Sequence, residues 1–354
     1  MYIDLWTSES FRASVSGTVT IYHGKRSNFM KIRGNSFLIT GGAGLMGSHI
    51  ADRLLAGGAA KVILLDNFVR GGMHNIEHVL QDPRVQLVRG DIRDLDLLMQ
   101  LAEGIDGLFH MAALRITACA VNPREAMEVM LVGTHNVLQT VVEKKVGRLL
   151  YASSASVYGL ADSFPTTEKH HPYNNRTYYG AAKIAGEGMA RSYAEMYGIS
   201  YVAHRYFNVY GPRMDIHGKY TEVLIRWLDR IEAGQPPLIF GDGLQTMDMI
   251  SIDDVTDANM LAMESDVSDE VFNVASGTET SLLGLLQALL KITGSDLQPE
   301  FQPERSVNPV PRRLADTSKA ERLLGFKAKV DVEEGLRRLL AWRNENISSK
   351  AHLN

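Results

Sequence analysis

Ser36-Phe37-Leu38-Ile39-Thr40-Gly41-Gly42-Ala43-Gly44-Leu45-Met46-Gly47 is the stretch whose reading decides the fold. Phe37 to Thr40 is a short apolar run of β type, and glycines follow at three-residue spacing: Gly41, Gly44 and Gly47. An apolar run at helical spacing, Ile50 to Leu55, comes next. Strand, tight turn and helix in this order is the form that a dinucleotide site takes. Gly41 can adopt the backbone angles of the turn. Gly44 has no Cβ, so a diphosphate can approach the main chain, and Gly47 lets the helix pack close to the strand. The helix N-terminus offers unpaired N–H groups and a positive dipole end, which places Leu45 and Met46 beside the same phosphates. A glycine triplet alone would also suit any Gly-rich turn.

The next segment narrows the reading. Lys61-Val62-Ile63-Leu64-Leu65-Asp66 is a second buried-strand pattern ending in an acid, and Asn67 follows it. Asp66 lies nineteen residues after Gly47, close to the spacing at which an acid meets the ribose hydroxyls of NAD. An acid here repels a 2′-phosphate, so NAD is favoured over NADP. The bland alternative for Asp66 is a loop cap.

The whole chain sets outer bounds. Its 354 residues can hold one large domain or two. A hydrophobic content of 45% with 22% charged residues is ordinary for a globular protein. The net charge of −4 makes no electrostatic case for nucleic acid or an anionic membrane. No apolar run approaches the ~20 residues of a membrane span. The one cysteine, Cys119, excludes an intrachain disulfide and suits a reducing cytoplasm, the expected compartment. Residues 1–34 are broken by Asp4, Glu9, Arg12, Lys25 and Arg26, so they carry no secretory signal and are expected to be a poorly ordered extension.

After residue 36, strands and helices alternate. Further strands are expected at Val85–Val88, Leu108–His110, Arg148–Ala152 and Tyr201–Arg205, with long helices over 124–143 and 178–197. This alternation predicts an α/β fold, a Rossmann-type doubly wound parallel sheet over 35–210. Ligands of such sheets sit beyond the carboxyl ends of the strands. The cofactor is therefore expected to meet Asp91, Ile92, Met111, Ala112, Ala113, Ser153 and Tyr206 as well as the residues above. After Asn208 the pattern loosens into shorter helices, about 220–233, 253–265, 280–293 and 331–346. Residues 211–346 read as a smaller, mostly helical substrate lobe and 347–354 as a tail. A return to the first domain is expected near 246–275, with Asp248–Ile252 as its candidate strand.

Tyr179-Gly180-Ala181-Ala182-Lys183 carries the catalytic signal. A phenol and an ammonium four residues apart share one helical face, and the ammonium favours tyrosinate near neutral pH. About 25 residues earlier, Ser153-Ser154-Ala155-Ser156-Val157-Tyr158-Gly159 places hydroxyls at the same sheet edge. Ser154 can hydrogen-bond a reacting hydroxyl and pass its proton towards Tyr179; Ser153 and Ser156 are alternatives, or simple turn residues.

With these motifs in this order, the chain resembles the extended short-chain dehydrogenase/reductase family, and within it the NAD-dependent epimerases and dehydratases of nucleotide sugars. The resemblance covers about residues 35–346. It extends to His110-Met111-Ala112-Ala113, Arg205-Tyr206-Phe207-Asn208-Val209-Tyr210-Gly211-Pro212-Arg213, Gly241-Asp242-Gly243 with Asp253-Asp254-Val255, and Ala315-Asp316-Thr317-Ser318-Lys319-Ala320. It implies NAD as cofactor and Ser154, Tyr179 and Lys183 as catalytic residues. Substrate contacts are implied at Ser154, Ser156, Asn208, Arg213 and Arg313. In the family's 4,6-dehydratases, Asp-Glu follows the serine-type position; here Ala155 and Ser156 stand there, and neither does acid/base work near pH 7. The pattern looks most like that of the 4-epimerases, which implies removal of the C4 hydroxyl proton by Tyr179 as the C4 hydride passes to NAD, a transient 4-keto sugar and return of hydride to the other face.

Two positions depart from the family. Met247 stands where an arginine usually grips the diphosphate, so Arg213, Arg312 and Arg313 are candidate substitutes. Met130 stands where an asparagine usually lies near the cofactor, and an altered local hydrogen bond is expected. A net oxidoreductase on the same site and a non-catalytic NAD-binding protein are the rival readings. The eleven histidines show no metal-ligand spacing, so no metal is expected and His170-His171 reads as a solvated turn. A homodimer is implied by resemblance, through helices 124–143 and 178–197. Met127, Met130, Val137 and Val141 either line that interface or face the sheet.

Overall fold

Runs of aliphatic residues become strands that are covered on both faces. The computed structural model describes residues 30–215, 223–303 and 310–351, with the side chains of 346–351 not among them. The first half runs β1 (Ser36–Thr40), α1 (Leu45–Ala56), β2 (Lys61–Asp66), β3 (Val85–Arg89), α2 (Leu95–Leu101), β4 (Gly107–His110) and α3 (Ile116–Val121). It continues with α4 (Pro123–Met127), a π-type segment (Glu128–Val132), α5 (Gly133–Glu143), β5 (Arg148–Ser154), α6 (Tyr178–Tyr197) and β6 (Tyr201–Tyr206). Then follow β7 (Asn208–Tyr210), α7 (Val223–Glu232), β8 (Leu238–Phe240), β9 (Thr246–Ser251), α8 (Ile252–Glu264) and β10 (Glu270–Val274). Last come β11 (Glu279–Ser281), α9 (Leu282–Thr293), β12 (Glu300–Gln302), α10 (Ser318–Leu324) and α11 (Val332–Ala351).

Seven strands form one parallel sheet in the order β3-β2-β1-β4-β5-β6-β10. Alternate residues of β1 divide between two cores. Phe37 and Ile39 join Ile50, Leu54 and Val255 under α1 and α8, while Leu38 joins Val137, Val141 and Leu149 under α5. Burial on both faces explains why these strands read as continuous apolar runs. Strand order reverses between β1 and β4, and a crevice opens at such a switch point. Thr40 pairs with Leu65 on one side and His110 on the other, so Gly41, Asp66 and Met111 meet at one edge.

A third core lies in the smaller lobe, where Trp227, Leu228, Leu285, Leu286, Leu289, Leu336 and Leu339 bring α7, α9 and α11 together. The return to the main sheet lies inside the expected 246–275 span but not on the candidate strand. The Asp248–Ile252 region is β-structured, but β9 pairs with β7 and β11 in a separate three-stranded sheet. It is β10 that enters the main sheet, parallel to β6, and α8 that packs on α1.

Three further corrections follow. Residues 1–29 of the expected 1–34 extension lie outside the described residues, as do 220–222 and the tail end 352–354. Residues 30–34 belong to the fold: Ile32 is buried in the core against Gly57, and its N–H donates to Glu264 Oε1 at 3.2 Å. The helix expected over 124–143 is interrupted by the π-type turn. Met130, Val137 and Val141 are buried, so they pack inward and do not line a dimer interface. No described helix is long and apolar enough to cross a membrane.

Candidate active site

The glycine turn is shaped by what a side chain would strike. Gly41 has φ +70°, and a Cβ there would meet the Ala112 backbone nitrogen at 2.8 Å. A Cβ on Gly47 would meet Gly41 O at 2.2 Å, so the helix sits against the turn only because Gly47 lacks one. Gly44 is looser, with its nearest neighbour at 3.2 Å. A cavity of about 210 Å³ opens here, lined by Gly41, Gly44, Leu45, Met46, Gly47, Asp66, Asn67, Asp91, Ile92, Met111, Ala112 and Ala113. These are the expected cofactor residues of the first four strands, brought together in one place.

Asp66 at the end of β2 accepts from Ala43 N at 2.9 Å and from Phe68 N at 2.8 Å. Burial raises its pKa, and those two N–H donors and Arg70 oppose the rise. Asn67 Nδ2 donates to Asp91 Oδ2 at 2.9 Å. Asp91 titrates at about 2, because Arg93 grips it. A cradle that a Cβ would fill, a helix N-terminus and an acid at the second strand fit a dinucleotide with a free ribose 2′-hydroxyl, so NAD fits the residues present.

A larger cavity, about 1520 Å³, adjoins it. Ser153, Ser154, Ser156, Tyr179, Lys183, Tyr206, Asn208 and Arg313 all line it. Thr177 caps α6 by accepting from Gly180 N at 3.0 Å, which starts the helix at Tyr178 and puts Tyr179 and Lys183 on the cavity wall. Lys183 is buried, its Nζ donates to Ala152 O at 2.5 Å, and it lies 5.7 Å from the Tyr179 ring centroid. Desolvation pulls its pKa down to about 8, with Cys119 and Glu187 opposing. Ser154 Oγ accepts from Ser156 N at 3.1 Å, an ST-type turn that fixes the hydroxyl at the cavity wall.

Some expected residues are turned elsewhere. The Ser153 hydroxyl donates to Glu187, and Glu187 is ion-paired with Arg205 at 2.6 Å. The Tyr206 hydroxyl donates to Asn259 Oδ1 at 2.5 Å, away from the cavity. Arg213, expected at the substrate, lines the smaller cavity. The turn at Gly211-Pro212 swings it towards α1, where it pairs with Asp52 at 2.7 Å and meets His78 at 3.1 Å. Arg312 pairs with Glu279 at 2.7 Å over the Phe164 ring. Arg313 is the remaining candidate: its guanidinium faces the larger cavity with no side-chain partner among the described residues, and desolvation lowers its pKa to about 10. Met247 lines the cavity as an apolar wall residue.

Other contributors escaped sequence reading. Leu114 N donates to Met130 Sδ at 3.3 Å, a weak acceptor at the departing position. His110 lies in a buried relay: Thr40 Oγ1 is 2.8 Å from Nδ1, and Nε2 is 3.1 Å from Thr134 Oγ1. Because the Thr134 hydroxyl donates to Met130 O at 2.7 Å, Nε2 carries the His110 proton. Burial drops His110 to about pKa 3, so it stays neutral beside Lys183. Arg226 and Arg230 of α7 also line the larger cavity; their i, i+4 spacing was legible, but not their direction. His170-His171 is only partly a solvated turn: the His170 side chain is 2% exposed, and Asp162 reaches both rings.

The match to known proteins follows the same outline. Residues 37–275 match the model of the NAD dependent epimerase/dehydratase family. A UDP-glucose 4-epimerase of Mycolicibacterium smegmatis is 35% identical over 304 residues, covering 84% of this chain and 95% of the relative. UDP-glucuronic acid decarboxylase 1 of Arabidopsis thaliana is 30% identical over 321 residues, covering 88% of this chain and 70% of the relative. Among solved structures, UDP-glucose 4-epimerase of Thermotoga maritima with UDP-glucose superposes with TM-score 0.83 at 32% identity, covering 88% of this chain and 99% of that one.

Proposed function

The chain belongs to the NAD dependent epimerase/dehydratase family, and from that premise we propose that it inverts C4 of a nucleotide sugar through a transient 4-keto sugar. A UDP-sugar is the first substrate to test, because relatives named for UDP-sugars match most of the chain. The observation that carries the reading is the wall around Tyr179. At the end of β5 it offers Ser154, Ala155 and Ser156, hydroxyls and a methyl, with no carboxylate to expel a C6 hydroxyl. The carboxylates that line the cavity, Asp229 and Asp242, belong to α7 and the loop after β8.

NAD supplies the hydride acceptor and donor for C4. Tyr179 removes the C4 hydroxyl proton and later returns it. Ser154 holds that hydroxyl in line. Lys183, anchored on Ala152 O, keeps a positive charge beside the phenol. The sugar must present both faces in turn, and about 1520 Å³ is more than the usual 300–1,000 Å³ of a ligand pocket. Arg313 supports anchoring of the diphosphate while the sugar turns. A homodimer belongs to the same reading. Helix α6, which neighbours α5, exposes Met196 and Tyr197, and Val132 before α5 is 45% exposed.

The test is incubation of purified protein with UDP-, dTDP-, GDP- and CDP-sugars, without added NAD, followed by NMR of C4. Inversion in one sugar establishes the reading and names the substrate. Met247 favours one second reading, a net oxidoreductase on a substrate held without the usual diphosphate grip. In that case no sugar of the panel is inverted at C4, and free NAD(H) exchanges during turnover.

A further inference from the structure

We infer that Asp162, His170 and His171 form a binding site for a divalent transition-metal ion of the zinc type. They lie in the loop between the serine segment and the catalytic helix. Asp162 stands near the start of that loop and the two histidines just past its middle. Their ligand atoms all lie within 4.8 Å of one another. His170 Nε2 is 2.8 Å from Asp162 Oδ1, and His171 Nε2 is 3.2 Å from Oδ2. Bonds of ~2.0–2.1 Å in tetrahedral geometry place neighbouring ligand atoms roughly 3.4 Å apart, so a small adjustment seats the ion.

Hydrogen bonding around His170 makes the case for a cation. Its Nδ1 is 2.7 Å from His171 O, a carbonyl that can only accept, so Nδ1 carries a proton. Nε2 then faces a carboxylate oxygen 2.8 Å away, a contact in which either a proton or a metal ion can stand between nitrogen and oxygen. A ligating histidine whose other nitrogen donates to a backbone carbonyl is the usual outer arrangement of a metal site. The neutral ring can also accept from Asp162 N at 3.2 Å, a contact that the ion would replace. Likewise, His171 would give up the long contact from Tyr173 N to its Nδ1, at 3.3 Å.

The site is rigid on one side and open on the other. The His170 ring packs edge-on against Tyr158 at 5.8 Å and stacks on His171 at 4.6 Å. His171 and Asp162 have side chains 51% and 59% exposed, which gives the ion an entry path and room for a water as fourth ligand. Two imidazoles and one carboxylate suit zinc better than magnesium or calcium. Tyr158 connects the site to the reaction centre: it follows Ser154 in one short turn, and it accepts from Arg205, which pairs with Glu187 on α6. A bound ion would cross-link the loop internally, between residue 162 and residues 170–171, on the stretch that joins the Ser154 segment to the helix of Tyr179.

The probe is Co²⁺ titrated into the untagged, chelator-stripped full chain and followed by visible absorption, with Zn²⁺ as competitor. One equivalent of Co²⁺ with ligand-field bands that Zn²⁺ removes is expected, together with a melting temperature raised by Zn²⁺. His171→Ala and Asp162→Asn alter exposed side chains, so the fold should survive, which circular dichroism checks. Each is expected to weaken Co²⁺ by at least the ~10–100-fold typical of changes outside the ligand set. Absence of Co²⁺ bands in the native chain, or equal affinity in both variants, overturns the site and leaves a protonated His170 paired with Asp162.

Discussion

Lys183 shows how much one burial event decides. An amine with an ordinary pKa of 10.5 is brought to about 8 because it sits out of water beneath Tyr179. Between those values the unfolded chain binds a proton that the folded chain does not, so stability should rise with pH across about 8 to 10.5. Catalysis runs the other way, since the ammonium is needed beside the phenol and turnover should fall as pH passes about 8. Urea unfolding at several pH values checks the first, and Lys183→Met should remove that slope, at most ~1.4 kcal/mol per pH unit. Initial rates of C4 inversion check the second. Tyr179→Phe should lower turnover by ~10²-fold or more while leaving thermal stability close to that of the parent. Tyr179 and Lys183 were legible because their spacing alone puts them on one helix face. The engagement of Ser153 with Glu187 was not, although Glu187 lies one helical turn beyond Lys183, because the partner strand β6 supplies the arginine that orients it.

At the scale of elements, β1, the glycine turn and α1 act as one unit. Gly47→Ala would drive a methyl into Gly41 O, whose distance from that Cβ position is 2.2 Å, so α1 must shift away from β1. The expected result is loss of co-purifying NAD, read by absorbance after denaturation, together with a lowered melting temperature. Gly44→Ala, with 3.2 Å to its nearest neighbour, should be the milder of the two. Helix α6 spans the expected 178–197, and the structure closes it with a Thr177 cap and a left-handed Gly198, whereas the π-type turn at Glu128–Val132 had no sequence mark. At and just after that turn Met130 and Thr134 meet Leu114 and His110, contacts between segments distant in the chain.

For the molecule as a whole, the proposed dimer should use what the fold leaves outside. Light scattering at working concentration is expected to give twice the chain mass, and Val132→Glu with Tyr197→Asp should give monomers that retain the native circular dichroism. A monomer in the parent protein would remove the dimer from the reading. The apolar pattern left Val137 and Val141 free to line an interface or to face the sheet, and their burial in the core decides for the sheet.

The sequence by itself determined the alternating sheet, the glycine cradle, the acid at the second strand and the serine, tyrosine and lysine of the site. Each of these is a local pattern, in which spacing along one element fixes direction. Only the tertiary contacts settle where Arg213 turns, that Arg313 lines the larger cavity together with Arg226 and Arg230, that β10 and not β9 joins the main sheet, and that Asp162 meets His170 and His171. Those depend on contacts between segments far apart in the chain, where ion pairing and burial against a specific neighbour override any preference that the residue has alone.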